Sequence, residues 1–342
     1  MFTAICRVGS TSLGLPTTFS LRLNSDICGV RGAVDAAVAA ERSVFQAFWY
    51  CEDLFKRDCW VVLTAAASAT EKIGLGTAIV NPFTSHVVEI AMRSITLQEY
   101  SGGRFRLGIG VGAPETLRWA GLEISRPVNG LADAVENLRK LLAGHPLNPR
   151  NPSYLRVRYS PPPIYIGGQG RRICRLMGLM GDGGLPLVVP PEAAAHSLSW
   201  IWAGAREASR NPDKLDISAC VWYFIAEDRE ELESSVELKR LIAYYGPMLS
   251  DDVLRSAGLS REDFKALLYY LEMEEEEKAL DLVTEEMFRL AISATYDQSE
   301  AVIRRFRELE ALGVKHFNIG PPIGRDLAKV LEFTGKIVSR MV

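Results

Sequence analysis

A chain of 342 residues with 48% hydrophobic content can bury a large core, and that length suits one enlarged α/β barrel or two ordinary domains. A net charge of −3 favours neither nucleic acid nor an anionic membrane as partner, and no apolar run approaches the roughly 18 residues that a bilayer span needs. Six cysteines without a CxxC pair and four scattered histidines suggest neither a zinc site nor a disulfide framework, so a reduced, cytoplasmic compartment is expected.

Residues 1–17 read as an N-terminal extension with one Arg and no sustained apolar stretch, unlike a signal peptide. The first strand is expected at Thr18–Leu23, followed by a helix over Arg31–Arg42 and an aromatic strand over Phe45–Cys51 that ends in Glu52-Asp53. An Ala- and Val-rich helix spans Trp60–Thr70. Ile73–Val80 is apolar and β-branched, and Asn81-Pro82 stops it because Pro cannot extend a ladder. His86–Tyr100 has helical spacing and ends at Ser101-Gly102-Gly103, where Gly tolerates the left-handed cap. Phe105–Val111 is a second buried strand, closing in Gly108-Ile109-Gly110-Val111-Gly112. Two such strands joined by a helix imply a parallel sheet buried on both faces.

Beyond an irregular stretch from Gly112 to Val128, Asn129–Ala143 is an amphipathic helix. Strands follow at Ile164–Ile166, Leu185–Val189, Ile217–Ala226 and His316–Ile319, with Arg171–Met180 the helix behind the first of them. Asp228–Thr295 holds several helices and, on this reading, no strand. Its acidic run Glu272–Lys278 reads as a solvated helix face. The βα alternation allows a barrel or a doubly wound sheet, and glycines at several strand ends favour the barrel. The expectation is one α/β domain over residues 18–342, a (β/α)8 TIM barrel with a helical insertion at about 228–295, before the last strand.

Ile166-Gly167-Gly168-Gln169-Gly170-Arg171 joins a strand to a helix. Glycines let a ligand approach the backbone, and free N–H groups at a helix start attract an anion, although a tight βα turn would need the same glycines. Gly108–Gly112 is not a dinucleotide fingerprint, since it lacks the following helix start and the acidic residue about 20 positions on. Gly320-Pro321-Pro322-Ile323-Gly324 reads as a stiff structural turn. Two adjacent carboxylates at a barrel mouth, Glu52 and Asp53, can acquire shifted pKa values and handle a proton. His86 at a helix start reads as structural, and Cys51 as a small buried side chain.

The stretches VNPFTSH, LQEYSGGRFRLGIGVG and IYIGGQG, in this order, resemble the bacterial-luciferase-like superfamily, and within it the coenzyme F420-dependent methylenetetrahydromethanopterin reductases. The resemblance implies hydride transfer to a pterin-type one-carbon carrier, with homodimers or higher homo-oligomers. It also implies a cofactor site: phosphate on Gly167, Gly168, Gln169, Gly170 and Arg171, and the deazaflavin ring against Ala78, Ile79, Val80, Asn81, Val111, Gly112 and Val188. A non-prolyl cis peptide is expected between Ala78 and Ile79. Two positions depart from the family. Asp53 stands where many deazaflavin enzymes carry His, and Arg22 stands where the reductases present a Glu. Arg22 then either pairs with Glu52, the plainer option, or binds an anionic group of the substrate. Two other functions compete: an FMN-dependent monooxygenase with the same phosphate site, and a barrel that binds a ligand or partner without catalysis.

Overall fold

Apolar strands covered by helices on one side and by one another on the other side run parallel, and here they close into a ring. The computed structural model describes residues 17–43, 45–189 and 191–341, so the expected N-terminal extension lies, apart from Thr17, outside the described residues. The strands are β1 (Thr18–Leu23), β2 (Phe45–Tyr50), β3 (Gly74–Thr77), β4 (Phe105–Gly110), β5 (Ile164–Gly168), β6 (Gly183–Pro186), β7 (Asp216–Ala226), β8 (Ile292–Thr295) and β9 (His316–Ile323). The helices are α1 (Val30–Arg42), α2 (Cys59–Ala69), α3 (Val87–Tyr100), α4 (Pro114–Trp119), α5 (Pro127–Leu142), α6 (Arg171–Met180) and α7 (Ala194–Glu207). After β7 come α8 (Arg229–Ser234), α9 (Val236–Tyr245), α10 (Asp251–Ser256), α11 (Lys265–Glu272) and α12 (Glu276–Asp281), then α13 (Ser299–Ala311) and α14 (Leu327–Val338) around β9.

The order β6-β5-β4-β3-β2-β1-β9-β7, closed by pairing of β6 with β7, makes an eight-stranded parallel barrel. Two expectations are corrected. The segment Asp228–Thr295 does contain a strand, β8, which pairs with Tyr223–Ala226 at the far end of β7 and stays outside the ring. The sixth strand lies over Gly183–Pro186 instead of Leu185–Val189, with Leu187 keeping one bridge to Cys220.

Alternation divides the strand residues between two environments. Phe19, Leu21, Leu23, Phe48, Tyr50, Ile109 and Ile166 join the helices in the main core. Ala47, Trp49, Tyr165, Leu185 and Cys220 form an inner cluster, with Ala78 and Ile79 packed against it. A second apolar cluster joins Trp222, Phe224 and Ala226 of β7 to Leu238, Ile242, Phe264 and Leu267 of the insertion. That packing brings Tyr245 of α9 against Trp222, ring centroids 6.0 Å apart. The acidic run is paired at the surface, Glu276 with Arg240 at 2.6 Å and Glu275 with Lys278 at 2.5 Å.

The N-terminal end of the barrel is polar where barrel interiors are mostly branched aliphatic. His316 Nδ1 lies 2.8 Å from Asp216 Oδ1, and its Nε2 lies 2.7 Å from Ser20 Oγ and 3.2 Å from Ser218 Oγ. Tyr165 donates to Asp216 Oδ2 at 2.6 Å. Burial alone would raise the Asp216 carboxyl, but the hydrogen bonds from His316 and Tyr165 outweigh it and lower it to about 2. A carboxylate depressed in this way stabilises the fold above its ordinary value of 3.8 and loses that contribution as pH falls toward 2. Asp216→Asn is expected to flatten the decline of urea stability between about pH 4 and pH 2; a decline as steep as wild type would refute the linkage.

Candidate functional site

The C-terminal ends of β3, β4 and β5 meet around one side chain. The Ala78–Ile79 peptide is cis, as the resemblance implied. A Cβ at Gly110 would lie 2.7 Å from the Gly167 carbonyl oxygen and 3.0 Å from Ile79 Cγ1, and one at Gly167 would lie 2.4 Å from Ile79 Cγ2. Ile79 therefore lies across two strands that must be bare to receive it. Gly108 is bare for a different reason: its Cβ would sit 1.9 Å from the Thr77 carbonyl oxygen. Thr77 Oγ1 donates to Gly108 O at 2.8 Å and accepts from Gly108 N at 2.9 Å. Past the cis bond the chain pairs again, Val80 N to Gly108 O at 2.9 Å and Gly110 N to Val80 O at 3.0 Å. Asn81 ties the two loops together: its amide nitrogen donates to Val111 O, and its Oδ1 accepts from Phe83 N at 2.7 Å. These contacts make Gly108, Gly110 and Gly167 packing glycines, while Ile79 is half-buried, Gly112 is exposed and Val111 packs against the main core.

Gly170 differs from them. Its φ of +84° suits glycine, and a Cβ there would meet nothing within 4 Å, so the backbone ahead of α6 is open. Gly168, Gln169, Gly170, Arg171 and Arg172 are all exposed. The first N–H groups of α6 have no intrahelical acceptors, and the helix dipole adds positive potential beside two guanidinium groups. Arg172 Nη2 is held by Asn129 Oδ1 at 3.1 Å. Open backbone, unpaired N–H groups and exposed arginines therefore coincide at this end of α6, the kind of surroundings in which helix starts attract anions.

The neighbouring carboxylates of the second strand have different surroundings. Glu52 follows the parity of Phe48 and Tyr50 toward the helices, where its Oε2 accepts from Cys59 N at 2.7 Å at the start of α2. Burial raises its carboxyl above the ordinary range, against the bonds from Cys59. Asp53 follows Trp49 and Cys51; its Oδ2 accepts from Ser25 N and Ser25 Oγ, each at 2.9 Å. The Glu52–Arg22 pair offered as the plainer option is absent, because Glu52 is committed to α2 while Arg22 points from β1 into the barrel. Cys51 is 4% exposed, with its thiol pushed up by burial, in keeping with a small buried side chain. His86 caps α3 by accepting from Val88 N at 3.3 Å. Val188 packs in the main core, and its N–H is bound to Cys220 O at 2.8 Å. Gly320–Ile323 completes β9, and Asp326 caps α14 through Lys329 N at 3.1 Å.

Sequence reasoning missed Asn318, Arg172 and Tyr245. Alternation along β9, with Asn318 two positions from His316 and Gly320, is the signal that places it inside the barrel. Tyr245 carried no such signal, since only the packing of the insertion brings it to Trp222. A groove of about 990 Å3 lies elsewhere: Glu192, Asp228, Glu285, Thr295 and Arg305 line it. It touches none of the glycine loops, and Arg305 pairs with Glu192 at 2.5 Å across it. It is a solvated ionic seam beside β8.

The chain was compared with known proteins. The family model described as luciferase-like monooxygenase matches residues 12–316. The chain is 28% identical over 319 residues to the 5,10-methylenetetrahydromethanopterin reductase of Methanolobus tindarius, covering 88% of this chain and 93% of the relative. It is 30% identical over 308 residues to the enzyme of that name from Archaeoglobus fulgidus, covering 87% and 91%. Among solved structures, the coenzyme F420-dependent tetrahydromethanopterin reductase of Methanopyrus kandleri superposes with a TM-score of 0.83 at 25% identity, covering 96% of this chain and 100% of that one.

Proposed function

Since the chain belongs to the luciferase-like monooxygenase family, we propose that it is a coenzyme F420-dependent oxidoreductase of the methylenetetrahydromethanopterin reductase type. Relatives of that name match nearly their full length, which supports the reaction class. The observation that carries the reading is the open start of α6: a bare Gly170 backed by Arg171 and Arg172 fits the phosphate of a deazaflavin. The ring would lie against Ile79, Val111 and Gly112, with Ala78 and Val80 shaping that wall and Asn81 holding its two loops at one spacing.

When bound, the deazaflavin supplies a hydride from its C5 carbon. The protein's own tasks are then to bind, orient and exclude water. In this reading the insertion, which sets Tyr245 against Trp222 of β7, helps to screen the mouth. Asp53 lies beside that opening, with Ser25 fixing its orientation, and is our candidate for moving the proton that accompanies hydride transfer; Glu52 is the second candidate. The acceptor is of the pterin type named for the relatives. Among the described residues no helix is long and apolar enough to cross a membrane. A cytoplasmic homo-oligomer is part of the same reading, and sedimentation at one subunit mass would remove the oligomer from it.

Titration with the protein is expected to quench deazaflavin fluorescence with a Kd tighter than about 10⁻⁴ M, which is about 5.5 kcal/mol of binding. Absent quenching, together with FMN retained through desalting, would instead favour the monooxygenase.

A further inference from the structure

Arg22 is the most unusual charge in the molecule. Its Nε and Nη2 are enclosed and have no hydrogen-bond partner, although the side chain keeps some accessible surface. The guanidinium lies over Gly320, where a Cβ would come within 2.6 Å of Nη2 and 2.7 Å of Nε. A side chain at 320 would therefore displace it. Its influential neighbours are the thiols of Cys220 and Cys51, with Asp53 weaker. Burial raises both thiols, so both are neutral at pH 7. Asp53 is committed to Ser25. Cys51 and, more weakly, Asp53 help to hold the charge, yet Nε and Nη2 stay without a hydrogen-bond partner and no carboxylate forms an ion pair with the guanidinium among the described residues.

Two more unpartnered polar groups share this part of the barrel. Both amide atoms of Asn318 and the indole nitrogen of Trp49 are buried without a hydrogen-bond partner. Pairing of Arg22 with Trp49 and of Ser20 with Asn318 puts all three on adjacent strands β2, β1 and β9. Donors left idle in a native interior call for an explanation, and these lie on three neighbouring strands of one barrel wall. Position supplies the direction. In the ring β1 lies opposite β5 and β9 lies opposite β4, so this wall faces the Ile79–Gly110–Gly167 wall across the lumen.

We propose that Arg22, with Asn318 and Trp49, forms an anion-binding subsite that takes a carboxylate of the hydride acceptor. A guanidinium fork matches a carboxylate with two parallel hydrogen bonds, and the amide and indole N–H groups supply further donors. Among the pterin-type acceptors proposed above, the subsite selects those that also carry a carboxylate able to reach this wall of the lumen. This deepens the reading above and rests on it for the reaction, though not for the subsite itself.

The test measures thermal midpoints of the full chain, without deazaflavin, against increasing acetate or benzoate, with chloride at matched ionic strength. Wild type should show a saturable rise with carboxylate and none with chloride. Arg22→Met should abolish that rise while still folding cooperatively. Arg22→Lys should recover only part of the response, since an ammonium cannot form the fork. With the deazaflavin present, Arg22→Met should raise KM for a carboxylate-bearing acceptor by about 10- to 100-fold with kcat nearly unchanged. A carboxylate response in Arg22→Met as large as wild type would overturn the proposal; so would an equal response to chloride, or no response in wild type. The fluorescence titration is independent. Lost quenching with a retained carboxylate response would sink the deazaflavin reading alone, and the reverse would sink the subsite alone.

Discussion

Asp53→Asn is expected to lower kcat of deazaflavin-dependent reduction by about 10²-fold or more, with cofactor affinity kept within a few-fold. Asn keeps an oxygen that can accept from Ser25 N and Oγ, so the loop that holds position 53 should stay in place. What it loses is the capacity to take up and release a proton. Steady-state rates with matched quenching titrations separate the two effects. A variant that turns over like wild type would clear Asp53 of any proton role. Glu52→Gln then examines the other carboxylate on equal terms, because Gln still offers an acceptor to Cys59 N. Burial raises the Glu52 carboxyl, as a general acid requires, but its contact is with the start of α2. A kcat loss in Glu52→Gln comparable to that expected of Asp53→Asn would move the proton to Glu52.

Gly108→Ala should lose both stability and cofactor binding. The added methyl would sit 1.9 Å from the Thr77 carbonyl oxygen and 3.0 Å from Leu185 Cδ1. Backbone cannot swing aside as a side-chain end can, so β3 and β4 must separate at the mouth. Overpacking of this kind costs roughly 1–3 kcal/mol. The same separation strains the two Thr77 hydrogen bonds and shifts Ile79, which forms the wall assigned to the ring. The urea midpoint should fall, and the deazaflavin Kd should weaken by at least about 10-fold, on the order of 1.4 kcal/mol. Gly170→Ala adds its methyl to open space at a φ of +84°, so it should weaken phosphate binding with a smaller change in stability. Equal and small effects of both substitutions would contradict the division between packing and ligand glycines.

Much of the barrel was legible because its signals are local. Apolar β-branched runs, a stop at Asn81-Pro82 and a cap at Gly102-Gly103 each act within a few residues. The strand that escaped notice, β8, is four residues long and follows directly on a turn of 3-10 helix. It forms because β7, at eleven residues, extends past β6 and leaves an edge at Tyr223–Ala226 for it to pair with. Nothing in Ile292–Thr295 announces an edge that belongs to a strand some 70 positions earlier. The sixth strand was misplaced for a related reason. Gly183 and Gly184 read as breakers, yet a Cβ at Gly183 would lie 2.2 Å from the Tyr165 ring, so the neighbouring strand requires that glycine.

The site divides in the same way. Chain order alone determined the alternation of strands and helices and the glycine ends of the strands, since these depend on residue type and short spacing. The tertiary structure alone decided which glycines serve packing and which leave backbone open, because that depends on whether Ile79, Thr77 or nothing stands opposite. It also separated Glu52 from Asp53, adjacent in the chain but turned by strand parity toward a helix and toward the mouth. Arg22 is the clearest case. Its residue type suggested either a salt bridge or an anion, and only closure of the barrel, bringing Gly320 and Cys220 around a guanidinium whose Nε and Nη2 find no hydrogen-bond partner, favoured the anion. The choice turns on desolvation and missing partners, which are properties of an enclosed volume and not of any stretch of chain.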